Sequence, residues 1–272
     1  MTRPAHPERW RHALALVVGA VCLVPVVTMV TGSLRAPGQV PSRTPRLIPS
    51  DPGLEAYRRA GELVDLWGQL RSSVVVVALA VPLTVIVASW AGFAIARAPS
   101  PWRGIGIAAS AVALMVPGTA LLVGRAWLYR NAGVADTYAP LVAPALVGTS
   151  PFYVLVYAWA FSRLPRELWD AALLEGVGPF GAWRRVGMPL VRPVTAAVAL
   201  LSLVVTWGDL LSPLVYLADP DRFTLPMGLR QLAALDRTDE SVMLAAAVVA
   251  TAPVVVAFLV VHRRFLRADP PA

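Results

Sequence analysis

The amino-acid sequence predicts an all-α, polytopic membrane protein with six transmembrane helices. Hydrophobic residues make up 57% of its 272 positions and charged ones only 15%, far from the mixture of a soluble domain. The apolar residues collect in long runs, each near the ~20 residues that cross ~30 Å of hydrocarbon. Proline recurs inside the runs, at Pro25, Pro82, Pro117, Pro140, Pro144, Pro151, Pro213 and Pro253. Each removes a backbone hydrogen bond that lipid cannot replace, and such kinks are tolerated against a protein interior or a cavity. That suits a transporter or channel better than a passive anchor.

The first expected span covers residues 13–30, after Arg3, Arg9 and Arg11. It is longer than the ~7–15-residue core of a signal peptide, and no clean small-x-small cleavage site follows, so it is read as retained. Residues 35–70 form the longest polar segment, proline-rich at first, then helical around Leu54–Leu70. The second span is expected at 72–96, closed by a basic turn from Arg97 to Arg103, and the third at 105–123. A short loop with Arg130, Asn131, Gly133 and Asp136 leads to the fourth, 138–161. A polar loop, 162–191, separates it from the fifth, 193–217. Another polar loop, 218–240, precedes the sixth, 242–261, and Arg263, Arg264 and Arg267 follow.

Six spans leave both ends on one side. Placing them in the cytoplasm puts the arginines of the start, the 97–103 turn, the 162–192 segment and the tail inside. The outer arginines then sit largely in the long 35–71 segment, where the positive-inside rule counts them less. The formal net charge of +8 comes from arginine alone, since the sequence has no lysine. These arginines are scattered over span ends and loops and form no patch, which argues against nucleic acid as a partner. Cys22 is the only cysteine, so no disulfide framework exists. His6, His12 and His262 lack metal-ligand spacing with one another, a Cys or a carboxylate, and no Walker-type phosphate loop occurs. No metal site, no catalytic set and no nucleotide site are expected on this chain.

The 162–191 loop carries the most information. Ser162 is placed to cap a helix and Pro165 suits its first turn, while Glu167 and Asp170 put negative charge near its positive end. Gly176 suits the left-handed residue that ends a helix, and Pro179 the opening of a second. The expectation is a short helix of roughly ten residues, a turn, and another short helix. Ala171 and Ala172 leave a narrow face for a partner groove, and Asp170 and Glu175 are candidates for ion pairs with that partner. Trp169, Phe180 and Trp183 either touch the partner or dip into lipid headgroups.

Asp170-Ala171-Ala172, then Gly176, then Val186-Gly187-Met188-Pro189, resembles the signature of ABC importer permeases. Its pattern is Glu-Ala-Ala, three residues, Gly, nine residues, Ile, any residue, Leu-Pro. Every spacing is kept, with Asp for Glu, Val for Ile and Met for Leu. The resemblance extends over about residues 13–267 and is nearest the maltose-like sugar branch. Pro193, Thr206-Trp207-Gly208-Asp209, Ser212-Pro213-Leu214 and Thr224-Leu225-Pro226-Met227-Gly228-Leu229 stand in that branch's places, as do Met115-Val116-Pro117-Gly118 and Asp136-Thr137-Tyr138. Gly208 replaces the usual Asn.

The resemblance implies a single permease domain over 1–272, not an enzyme, in the plasma membrane of a bacterium. The 165–189 loop would couple it to a cytoplasmic ATPase dimer through Asp170, Ala171, Ala172, Glu175, Gly176 and Pro189. ATP and Mg would be bound by that partner, with no cofactor on this chain. A second permease subunit and an extracytoplasmic solute-binding protein complete the assembly. The cargo implied is a sugar or polyol, with Trp207 and Asp209 on the substrate path. A carboxylate within a span is a functional hypothesis by default, though Asp209 equally suits a cap on the helix broken near Gly208 and Pro213. Other cargoes for the same importer type, and a proton-coupled secondary transporter with Asp209 as relay, stand as alternatives. An embedded enzyme lacks a converging set of reactive groups.

Overall fold

In the computed structural model, which describes residues 7–38, 52–235 and 239–266, every regular element is helical. Among the described residues, four runs are long and apolar enough to cross a membrane: Trp10–Ser33, Leu66–Arg97, Ala139–Ser162 and Glu240–Arg263. The number rises to 6 if each of two sharply bent helix pairs counts as one span. The described residues group into two compact units, drawn from Met1–Trp67 with Gly228–Ala252 and from Gly68–Met227 with Pro253–Ala272.

The first unit holds α1 (Pro7–Ser33) and α2 (Glu55–Leu63). Ser33 and Tyr57 join them through a hydroxyl pair at 2.7 Å. Asp239, itself buried, accepts from the Gly38 N–H at 3.0 Å and from the Ser241 hydroxyl at 2.7 Å, capping the helix that starts at Glu240. The helical stretch expected around Leu54–Leu70 is broken instead at Val64, which is extended (φ −139°). Residues 39–51 of the long polar segment and 236–238 of the 218–240 loop lie outside the described residues. Within that second loop a helix, Leu225–Leu235, forms where only polar chain was expected, because its apolar Leu225, Met227 and Leu232 are buried.

The second unit is organised by α3 (Leu66–Arg97), a helix of 32 residues that Pro82 does not interrupt. Beside it run α4 (Ser100–Leu114), α5 (Leu122–Asn131), α6 (Ala139–Val142) and α7 (Pro151–Ser162). Three expected spans are thus interrupted. The 105–123 run ends at Met115, because Pro117 forces an extended residue and has no N–H, and the chain turns by 81°. The 138–161 run breaks where Gly148 and Thr149 both take positive φ, 76° and 60°, before Pro151 starts α7. The 193–217 run breaks after Trp207, at Gly208 and Asp209.

The α3–α7 contact is set by small residues. A Cβ on Gly92 would lie 2.8 Å from both the Val154 carbonyl oxygen and the Ala158 nitrogen. Backbone therefore meets backbone there, as small residues allow between membrane helices. Around this point the core gathers Ala88, Phe93, Tyr157, Phe161, Trp169 and Trp183.

Candidate partner-docking site

The loop after α7 folds as a helix, a turn and a second helical segment. α8 runs from Arg166 to Leu174 with Glu167 in its first turn. Its cap is Pro165, which makes no side-chain bond, and not Ser162: that hydroxyl turns back to donate to the Trp159 carbonyl at 2.8 Å. At the other end Gly176 has φ +72°. The Gly176 N–H reaches the Leu173 carbonyl at 3.0 Å and the Val177 N–H the Ala172 carbonyl at 2.9 Å. That pair of bonds is the Schellman closure, which needs a left-handed residue where Gly176 stands. α9 (Pro179–Gly181) then leads through a π-helical turn, Ala182–Gly187, into α10 (Met188–Leu190). α11 (Arg192–Trp207) leaves at 86° to that segment.

The inner face of the loop is fastened to α3 and α7 by aromatic rings. Trp169 is 4% exposed and meets Phe93 edge-on at 5.4 Å, with the Arg97 guanidinium 5.3 Å from its ring. Phe93 also meets Phe161 at 5.5 Å. Trp183, 7% exposed, packs edge-on against Trp90 at 5.2 Å, and its Nε1–H donates to the Ser89 hydroxyl at 3.2 Å. These two tryptophans therefore face their own protein. Phe180 is exposed at its outer side but touches Trp90 and Trp183 at 5.7 and 5.4 Å.

The outer face carries Asp170, Ala171, Glu175, Gly176 and Pro189, all exposed. Ala172 is buried, one-third of a turn from Ala171, so the alanine pair is split between the faces. Two residues that the sequence reading passed over dominate the exposed tip: Leu173 is 73% and Leu174 89% exposed. With Trp169 and Ala172 buried three residues apart, 170, 171, 173 and 174 fall on the outside of the helix. An exposed leucine pair flanked by Asp170 and Glu175 can fill an apolar groove with basic rims.

At the break after α11, α12 (Leu211–Tyr216) begins with the Ser212 N–H donating to Asp209 Oδ1 at 3.1 Å. Asp209 thus caps this helix, and Trp207 beside it is buried. The cavity that Asp209 lines has a volume of about 20 Å³, too small for a sugar ring in this conformation. A second polar knot ties the α5–α6 connection to the chain after α12. Asp136 Oδ1 accepts from the N–H groups of Ala218 and Asp219 at 2.9 and 3.1 Å, and Arg222 reaches Oδ2 at 3.2 Å. Those two N–H bonds, with the guanidinium, hold the Asp136 carboxyl below the usual carboxylate range. Among the described residues no three of His, Cys, Asp and Glu gather as metal ligands do.

Comparison with known proteins places this geometry. Residues 58–268 match the family model of the binding-protein-dependent transport system inner membrane component. An arabinooligosaccharides transport system permease protein, AraQ, of Halalkalibacterium halodurans is 30% identical over 74% of this chain and 71% of its own length. The trehalose transport system permease protein SugB of Mycobacterium tuberculosis is 28% identical over 94% and 93%. The diacetylchitobiose uptake system permease protein DasC of Streptomyces coelicolor is 24% identical over 97% and 96%. A chain of a bacterial ABC transporter importing alginate superposes with a TM-score of 0.79 at 19% identity, covering 97% of this chain and all of that one. That likeness bears on the fold. In ABC importers generally, ATP is hydrolysed by partner ATPase subunits, so this chain transports and is not an enzyme. It belongs to the inner membrane components of binding-protein-dependent transport systems: it is a multi-pass permease of a bacterial ABC importer.

Proposed function

We propose that this chain is one of two membrane subunits of an ATP-driven importer for a sugar or related polyol, with the 165–189 loop seated in a cytoplasmic ATPase dimer. One observation carries the docking role. α8 exposes Leu173, Leu174, Asp170 and Glu175 while its other face is fixed by Trp169. Residues Asp170, Ala171, Glu175, Gly176 and Pro189 supply the contact surface, and Ala172 acts from beneath by seating the helix. The loop side, and with it both termini, faces the cytoplasm, while 35–70 and 218–240 face outward towards the solute-binding protein. The sugar reading is supported by relatives named for arabinooligosaccharides, trehalose and diacetylchitobiose. Trp207 and Asp209, at the break of the fifth run, belong to the path when the subunits open. Closure of the ATPase dimer on ATP moves the loop and shifts the two access states, which nucleotide must bias differently.

The test is co-purification of the ATPase with Leu173→Ser/Leu174→Ser, with Asp170→Arg, and with Gly176→Val. A non-glycine residue at φ +72° costs about 1–2 kcal/mol in a left-handed turn. Each variant is expected to retain membrane insertion and lose ATPase. Wild-type recovery in all three would refute the docking role. Uptake of labelled oligosaccharides by the reconstituted assembly tests the cargo, and uptake of peptides or phosphate esters in place of sugars would refute that part alone.

A further inference from the structure

The cavity at the break between α11 and α12 is lined by Ser73, Thr206, Asp209 and Thr224, with Val76 and Leu141 among its apolar walls. Its volume of about 20 Å³ exceeds the ~10–15 Å³ that one water needs and excludes anything much larger. The polar groups around it are incompletely used. Thr224 is 5% exposed and its hydroxyl has no hydrogen-bond partner. Ser73, 4% exposed, accepts from the Leu225 N–H at 2.8 Å, which leaves its own hydroxyl hydrogen. Asp209 spends Oδ1 on the Ser212 N–H, which leaves Oδ2. A buried hydroxyl without a partner is costly, and more so where hydrocarbon surrounds the protein.

We propose that this cavity binds one ordered water, which bridges Asp209 to Thr224 and Ser73. The water donates one hydrogen to Asp209 Oδ2 and the other to Thr206 Oγ1, and accepts from the hydroxyls of Thr224 and Ser73. Four partners match a water's full capacity. A cation of similar size would coordinate oxygens but would leave both hydroxyl hydrogens without an acceptor. The bridged water clasps the start of α12 to the Thr224–Leu225 segment and to α3. Asp209 and Thr224 are thereby positioning residues that hold the break in its present geometry. The assignment is independent of the cargo.

The experiment is a thermal double-mutant cycle on the assembled importer in lipid nanodiscs, using Thr224→Val, Asp209→Asn and the pair. With the water bound, Thr224→Val lowers the melting temperature by about 2–4 °C, the scale of one hydrogen bond in a domain of this size. The double variant then falls by less than the sum, although no direct bond joins the two side chains. Thr224→Ser, which keeps the hydroxyl, restores both stability and coupling. A dry cavity gives the opposite sign, since valine removes an orphan hydroxyl: a melting temperature unchanged or raised by Thr224→Val, with additive effects, overturns the proposal. So does a melting temperature that tracks sodium at constant ionic strength, which would assign the cavity to a cation. A density map with a single peak in hydrogen-bond reach of Asp209 Oδ2 and Thr224 Oγ1 supports it, and an empty cavity at comparable detail overturns it.

Discussion

Replacing Gly92 with alanine tests whether the α3–α7 contact is the fixed point of this subunit. The added Cβ would stand 2.5 Å from the Tyr157 Cβ and 2.8 Å from two backbone atoms of α7. Carbon atoms rest at about 3.5–4.0 Å, so the helices must part by roughly 1 Å at this level. Neither a rotamer change nor a flexible tip relieves a clash with backbone. Overpacking of this kind costs about 1–3 kcal/mol, against which alanine regains up to about 1 kcal/mol of helix propensity. At about 2–4 °C per kcal/mol, a mid-range net loss of about 1 kcal/mol should read as a fall of roughly 2–4 °C in the melting temperature. The measurement is a tryptophan-fluorescence melt of the assembled importer, with Gly104→Ala in α4 as control. Nothing lies within 4 Å of a Cβ on Gly104, so that variant should melt at or above wild type. If Gly92→Ala behaves like Gly104→Ala, backbone contact between α3 and α7 is not what spaces them.

Three further outcomes are expected. The lowered pKa of Asp136 means that its contribution to stability is present above the ordinary aspartate range and is lost as pH falls through the depressed value. Melting temperatures measured from about pH 5 downward should therefore fall more steeply for wild type than for Asp136→Asn, and equal slopes would remove the knot from the stability account. Trp183→Phe deletes the donor to Ser89 and should cost about 1 kcal/mol; in a chemical-denaturation series, adding Ser89→Ala should cost little more, and full additivity would deny the bond. In a Cys22→Ser background, an impermeant thiol reagent on intact cells should label a cysteine at Arg230 and spare one at Gly178, and the reverse pattern would invert the orientation.

The helix–turn–helix of the loop was legible because its signals are local: Glu167 in the first turn, Gly176 at the left-handed position, Pro179 opening the next segment. The facing of its residues was less so. Ala171 and Ala172 look alike in sequence, yet only the phase set by buried Trp169 separates them, and that phase depends on the rings of α3. Inside the spans the difficulty was different. A run apolar on every side has no polar stripe to reveal which face is buried, so the small-residue seam of Ala88 and Gly92 gave no periodic signal. The break near Gly208 was anticipated in the sequence, whereas Pro117 was read only as a kink and Gly148–Thr149 gave no signal, because lipid-facing composition continues across them. Asp209 suited a path or a cap in the sequence; the Ser212 N–H bond shows that it caps α12 in this conformation.

The positions of these features along α3 suggest how the loop acts at a distance. Near one end of the helix, Ser89, Trp90, Phe93 and Arg97 hold the loop. Further along, Thr84 pairs with Thr149 at 2.5 Å, at the break before α7, and Ser73 binds the Leu225 N–H beside the break after α11. Ser73 and Arg97 are separated by about 36 Å at 1.5 Å per residue, so one rod touches the loop and both breaks. A lever of this kind has to be stiff. Leu79 and Ile86 lie between these contacts and expose their side chains, so Leu79→Gly/Ile86→Gly softens the rod by about 1 kcal/mol per site with little loss of packing. ATPase co-purification should stay at wild-type level, because the loop is untouched, while substrate moved per ATP hydrolysed should fall. Leu79→Ala/Ile86→Ala removes the same side chains without the glycine flexibility and should keep the wild-type ratio. Equal transport per ATP in the glycine and alanine pairs would mean that the loop's movement reaches the breaks through α7 and α11 instead of α3.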